Sequence, residues 1–195
     1  KTKIINVSKN NHLKSYLLKN NKKINFKTVQ PINIQSENVT PNIWNKIIKC
    51  IEKNWNNKFS GIIITHGTDT LSYTSSALSQ YFYNFYKPVV LVSSNKPLKD
   101  KNSNGKLNFS AAVDFIEKIK LPGTYVSYKN PRDSFVSFFI GSRVRQINSY
   151  YNNLNSGFGE PFFILKKKKF SFIKKNNPSI LSIKKNGKKK KNKKK

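Results

Sequence analysis

Short aliphatic runs alternate along this chain with longer stretches in which apolar residues recur every three or four positions. The first pattern belongs to strands buried on both faces, the second to amphipathic helices. Lys3–Val7 and Ile24–Val29 give weak strand signals, with a short helix predicted over His12–Lys19 between them. Trp44, Ile47, Ile48, Ile51 and Trp55 then recur at helical spacing, with Thr40 suited to cap that helix and Pro41 to open its first turn. Lys58–Ile64 reads as a strand, Ser72–Tyr83 as a helix with Ala77, Leu78, Tyr81 and Phe82 near one face, and Lys87–Val92 as a strand entering a polar loop. Asn104–Asn108 leads into a third helix whose buried stripe is Ala111, Ala112, Phe115, Ile116 and Ile119. Gly123–Tyr128 and Phe135–Ile140 are strands, a candidate hairpin around Asn130–Asp133. This rhythm predicts an α/β domain over residues 1–165, a mostly parallel sheet with helices on both faces.

Charge changes the picture at the C-terminal end. Of 38 basic residues, 15 fall in Lys166–Lys195, which has no acid at all and only the apolar groups Phe170–Ile173 and Ile180–Ile183. Residues 166–195 are therefore expected to form a lysine-rich, disordered tail that attracts polyanions non-specifically at low salt. Elsewhere the lysines are scattered among asparagines, and only Arg132, Arg143 and Arg145 are arginine. That pattern argues against a dedicated nucleic-acid reader, which uses arginine forks and interleaved aromatics on one surface. No apolar run approaches the ~18 residues of a membrane span, and Lys1–Lys27 has no signal-peptide core. The single cysteine, Cys50, excludes an internal disulfide, and His12 and His66 are the only histidines, so no zinc site is expected. A cytoplasmic protein is the expectation. The chain contains no methionine, and an incomplete translation product is the expectation.

Candidate chemistry lies where strands give way to polar loops. Gly61–Ile64 runs straight into Thr65, His66, Gly67, Thr68, Asp69 and Thr70, then into a helix. In open α/β sheets ligands are held at such a place, outside the carboxyl end of a strand and against a helix start. Two readings stand: either Thr68 or Asp69 caps the helix while Thr70 satisfies a nearby amide, or these groups act on a ligand. His66 is open in the same way, as a general base or as a hydrogen-bonded prop beneath the turn. Ser36-Glu37-Asn38-Val39-Thr40 and Ser93-Ser94-Asn95-Lys96-Pro97 also follow extended segments, so three loops can converge on one sheet edge.

The residues GIIITHGTDTLSYTSSALS resemble the second signature of the bacterial-type asparaginases. SENVTPNIW, KPVVLVSSNKPLKDKNSNGKLNFSAAVDFI and GTYVSYKNPRDSFVSFFIGSRV resemble three further segments of that family in the same order, covering about residues 25–160. The resemblance implies a Rossmann- or flavodoxin-like N-terminal domain of an enzyme that hydrolyses L-asparagine to L-aspartate and ammonia without cofactor or metal, as a homo-oligomer. It implies that Thr68 activates water or stabilises the tetrahedral intermediate and that Asp69 binds the substrate ammonium. Ser36 is then the carboxylate-holding serine, Glu37 a further substrate contact, and Ser94 the loop position that contacts the side-chain amide. Thr65, His66 and Gly67 become structural and orienting groups.

Three departures accompany it. The T-G-G-T-I motif that carries the family's primary nucleophile occurs nowhere in the sequence, so the first strand is expected to be missing or degenerate. Gln146 stands where the resemblance implies a catalytic lysine, and Arg143 and Arg145 are too basic to replace it. No segment matches the smaller C-terminal domain. The expectation is an asparaginase-type hydrolase, a fragment or decayed copy with little activity alone. The asparaginase-like subunit of a glutamyl-tRNA(Gln) amidotransferase and a non-catalytic remnant are the alternatives.

Overall fold

A computed structural model describes residues 3–7, 13, 15–16, 24–148, 150–180 and 182–184. Among the described residues eight strands form one sheet: β1 Lys3–Val7, β2 Asn25–Val29, β3 Gly61–Thr65, β4 Pro88–Val92, β5 Gly123–Tyr128, β6 Val136–Ile140, β7 Phe163–Lys166 and β8 Lys169–Phe172. Their spatial order is β2-β1-β3-β4-β5-β6-β7-β8. The first five are parallel and the last three pair antiparallel, so the sheet is mixed.

The parallel strands are buried on both faces because helices cover both. Helix α1, Pro41–Asn54, and helix α2, Leu71–Tyr81, lie on one face. There Ile47, Ile51, Leu71 and Leu78 meet Ile5, Ile62, Ile64, Val89 and Leu91. Helix α3, Gly105–Asp114, covers the other face and runs into a single π turn, Phe115–Ile119, closed by Lys120 in the left-handed region at φ 54°. Its Phe109, Ala112, Phe115 and Ile116 meet Ile4, Ile63, Val90 and Tyr125. Successive residues of one strand thus feed opposite cores, which is why these strands are uninterrupted aliphatic runs.

Several element boundaries shift by one to three residues, as hydrogen bonding at the ends dictates. Ser60 donates from its backbone to Lys3 O before β3 begins at Gly61. Thr40 stands at the N-cap of α1 with Pro41 in its first turn, but its hydroxyl makes no cap bond. The hairpin expected around Asn130–Asp133 joins β5 to β6, and Asp133 N donates to Asn130 O at 3.1 Å. In the helix expected over His12–Lys19, Leu13, Ser15 and Tyr16 are helical; His12 and the remainder lie outside the described residues.

Two expectations are corrected. Lys3–Val7 is neither missing nor degenerate as a strand: it lies inside the sheet, parallel to β2 on one side and β3 on the other, with Ile4 and Ile5 fully buried. The sheet also passes the expected boundary at residue 165, because Phe163–Lys166 and Lys169–Phe172 form its last hairpin and Phe170 and Phe172 pack on the core. The lysines of this run occupy the turn and outward positions while the phenylalanines point in. Ile180 and Ile183 pack on the same core, and residues 185–195 lie outside the described residues.

The hairpin turn places Lys167 and Lys168 at φ 47° and 65°. Positive φ at both centres of a two-residue turn suits Asn and Gly, and a side chain there costs about 1 kcal/mol. Lys168→Gly is expected to raise the urea midpoint by an amount equivalent to about 0.5 kcal/mol, net of the added freedom of the unfolded chain. A lower midpoint would show that the turn does not hold this geometry in solution.

Candidate functional site

The carboxyl ends of β2, β3 and β4 open onto a cavity of about 330 Å³. Its apolar wall includes Ile32, Ile47, Ile64, Val92 and Leu98, and Ser36, Thr65, His66, Gly67, Ser93 and Ser94 supply its polar side. The three loops singled out in the sequence therefore do meet. Strand order explains why: β1 lies between β2 and β3, so successive crossovers leave in opposite directions beside it and open a crevice.

Ser36 sits in a single 3-10 turn, Ser36–Asn38, and is 8% exposed. Its hydroxyl donates to Asp69 Oδ2, and its carbonyl accepts from Thr70 Oγ1 at 2.6 Å. Asp69 N also points to Ser36 Oγ, at 3.4 Å. This approach requires Gly67, where any Cβ would collide with Oγ and Cβ of Ser36. The capping reading fails here. Thr70 is the N-cap of α2 without a side-chain cap bond, and the Asp69 carboxylate is engaged by Ser36.

Thr68 is half-buried and Asp69 exposed, and neither lines the cavity; both stand on the loop at its edge. Among the described residues no cation pairs with Asp69. Glu37 is exposed and away from the cavity lining. Ser94 lines it, with Oγ held by Lys96 O at 2.5 Å and by Ser103 Oγ at 2.8 Å. Buried Asn108 fixes this loop from below, donating to Ser93 O at 2.9 Å while its Oδ1 accepts from Lys129 N at 2.8 Å. Among the described residues no group of His, Cys, Asp and Glu is arranged to hold a metal ion.

His66 is tied to the backbone on two sides. Its Nδ1 lies 2.8 Å from Gly67 O and can only donate to it, its backbone N–H donates to Val92 O at 2.9 Å, and Nε2 is buried without a partner among the described residues. Burial lowers its pKa from the ordinary 6.5, outweighing the opposing pull of Gly67 O and Asp69. The unfolded chain therefore takes up a proton before the folded one does. Stability is expected to fall as pH drops below about 6.5, and His66→Gln should flatten that loss between about pH 7 and 5. Urea midpoints of both chains across this range check it; parallel profiles would sink it.

Gln146 enters the site from the other end of the chain. Its Oε1 accepts from Ser72 Oγ at 2.8 Å, and its Nε2 donates to the carbonyl of Asp69. In the sequence it registers only as an absent lysine; nothing in its neighbourhood signals a bond across 77 residues.

The α/β domain thus carries a crevice at the sheet's topological switch, edged by serine, threonine and aspartate. Residues 2–175 match the family described as Asparaginase, N-terminal, and the chain belongs to it. The L-asparaginase of Thermococcus kodakarensis is 36% identical over 118 residues, 60% of this chain and 34% of that protein. A glutamyl-tRNA(Gln) amidotransferase subunit of Methanosphaera stadtmanae is 36% identical over 130 residues, 65% of this chain and 28% of that protein. The chain thus spans about a third of the length of these relatives. Among solved structures, the thermostable L-asparaginase of T. kodakarensis superposes with a TM-score of 0.73 at 25% identity, covering 92% of this chain and 57% of that one. The L-asparaginase I of Vibrio cholerae shares the fold at a TM-score of 0.73 and 23% identity. Among the described residues no helix is long and apolar enough to cross a membrane.

Proposed function

We propose that this chain forms the substrate-anchoring half of an asparaginase-type site, for the reaction of L-asparagine with water to give L-aspartate and ammonia. Asp69 takes the substrate ammonium, Ser36 the α-carboxylate, and the Ser94 loop faces the side-chain amide, with Glu37 an outer contact. Thr68 presents its hydroxyl to the amide carbon or to the attacking water. The observation that carries this reading is the Ser36–Asp69 hydrogen bond, which joins an acceptor for the ammonium to a donor for the carboxylate at one cavity edge.

Turnover needs more than this. A threonine hydroxyl is a poor nucleophile until a base removes its proton. Near Thr68 the described residues offer His66, whose basic nitrogen Nε2 is buried and accepts from no hydroxyl, and Gln146, which has no basic nitrogen. The chain alone is therefore expected to bind an amino acid far better than it hydrolyses one. Titrating 15N-labelled protein with L-aspartate should shift the amides of Ser36 and Asp69, while ammonia release from L-asparagine stays near background. Absence of both shifts and hydrolysis would overturn the assignment. The similarity to amidotransferase subunits favours a second reading, and preferential ammonia release from L-glutamine would replace the first with it.

A further inference from the structure

The geometry points to Gln146 as the positioning residue that sets the Thr68–Asp69 turn, and through it the placement of the ligand's ammonium; this rests on the reading just given. Asp69 precedes the N-cap Thr70, so its carbonyl lies just outside the helical ladder of α2. The side-chain partner of that carbonyl is Gln146 Nε2. The amide is held in one orientation, because Ser72 Oγ, on the first turn of α2, donates to Gln146 Oε1 at 2.8 Å. A single carboxamide therefore clamps the two ends of the segment between Asp69 and Ser72, a donor on one and an acceptor on the other.

The clamp has a fixed base. Gln146 lies between Val144, bridged to Ser156, and Ile147, 9% exposed in the core beneath α2. Arg145 N, next in the chain, donates to Asn155 O at 2.9 Å. The turn is held from the opposite side by Ser36, through the Asp69 carboxylate and the Thr70 hydroxyl. Two independent strands of chain thus fix Asp69, Ser36 at its side chain and Gln146 at its backbone. Gln146 touches no ligand on this account; it acts through Asp69.

Three chains separate the possibilities: wild type, Gln146→Ala and Gln146→Glu. L-aspartate affinity is read from amide shifts, stability from urea midpoints, and backbone hydrogen exchange is followed at residues 68–72. Gln146→Ala is expected to weaken L-aspartate about 10-fold, the effect of about 1.4 kcal/mol, with a midpoint close to wild type. Gln146→Glu at about pH 8 sets a carboxylate against the Asp69 carbonyl and should be at least as weak. Near pH 5 a larger fraction of the introduced carboxyl group is protonated, donation returns, and affinity should recover relative to wild type at the same pH. Unchanged affinity in Gln146→Ala, or loss of affinity only in step with loss of stability, overturns the proposal. If wild type itself fails to bind L-aspartate, the functional reading falls while hydrogen exchange still decides: faster exchange confined to residues 68–72 in Gln146→Ala supports the clamp, and unchanged exchange refutes it.

Discussion

Phe115→Ala is expected to cost about 3–5 kcal/mol, the range for removing a fully buried phenylalanine, and to leave the domain near its unfolding threshold. Phe115 is 0% exposed and stands where α3 passes into the π turn. Its ring stacks on Phe138 at 4.7 Å and meets Tyr125, Phe163 and Phe170 at 4.9, 5.7 and 5.9 Å. One side chain therefore joins the helix to β5, β6, β7 and β8, which span the change from parallel to antiparallel pairing. Its removal leaves a cavity that four rings from four strands cannot close together, so little relaxation offsets the lost contacts. Equilibrium urea unfolding measures the effect. A loss below about 1 kcal/mol would mean that this cluster repacks freely and does not tie the sheet's two halves.

The largest functional effect is expected from Asp69→Asn. Asparagine keeps an oxygen acceptor for the Ser36 hydroxyl, so the fold and the approach of the two loops are preserved. What is lost is the negative charge that, on the proposed reading, faces a ligand ammonium. Hydrogen bonds to charged groups contribute about 1.5–3 kcal/mol, and the exposure of Asp69 places it in the lower part of that range, so L-aspartate should bind about 10- to 30-fold more weakly. Calorimetric or NMR titration of both proteins tests it, with the urea midpoint as control for folding. Equal affinity in the two would remove Asp69 from the ammonium role, whatever the fate of Ser36.

Much of this architecture was legible in the order of residues. The runs Gly61–Thr65, Pro88–Val92 and Gly123–Tyr128 need two covered faces to be stable, and the helices between them supply the covers. The convergence of three polar loops also follows from that alternation, since parallel strands send their carboxyl ends to one edge. The resemblance to asparaginases rested on four segments, three of which carry those loops, and the family match extends over residues 2–175.

What was hidden has a physical cause in each case. Lys3–Val7 looked weak because its two isoleucines are flanked by polar residues; its central place comes from pairing with β2 and β3, which no local pattern records. The β7–β8 hairpin was obscured by four consecutive lysines, two of which form the turn itself. The π turn leaves no periodic mark, because one widened turn preserves the buried faces of Phe115 and Ile116. Gln146 and Ser36 illustrate the remaining limit. Their partners at Asp69 lie 77 and 33 residues away, and only the closed fold shows which polar groups share a bond.

The Ser36–Asp69 hydrogen bond pairs with each other the two groups that the proposed reading assigns to the ligand's carboxylate and ammonium. A lone carboxylate can draw the serine proton away only by leaving Asp69 without its donor, and a lone amine must share Asp69 with a hydroxyl already in place. An α-amino acid brings both replacements at once, its ammonium for Asp69 and its carboxylate for the released Ser36. On the proposed reading the pair acts as a coincidence gate, in which each end of the ligand offsets the disruption caused by the other.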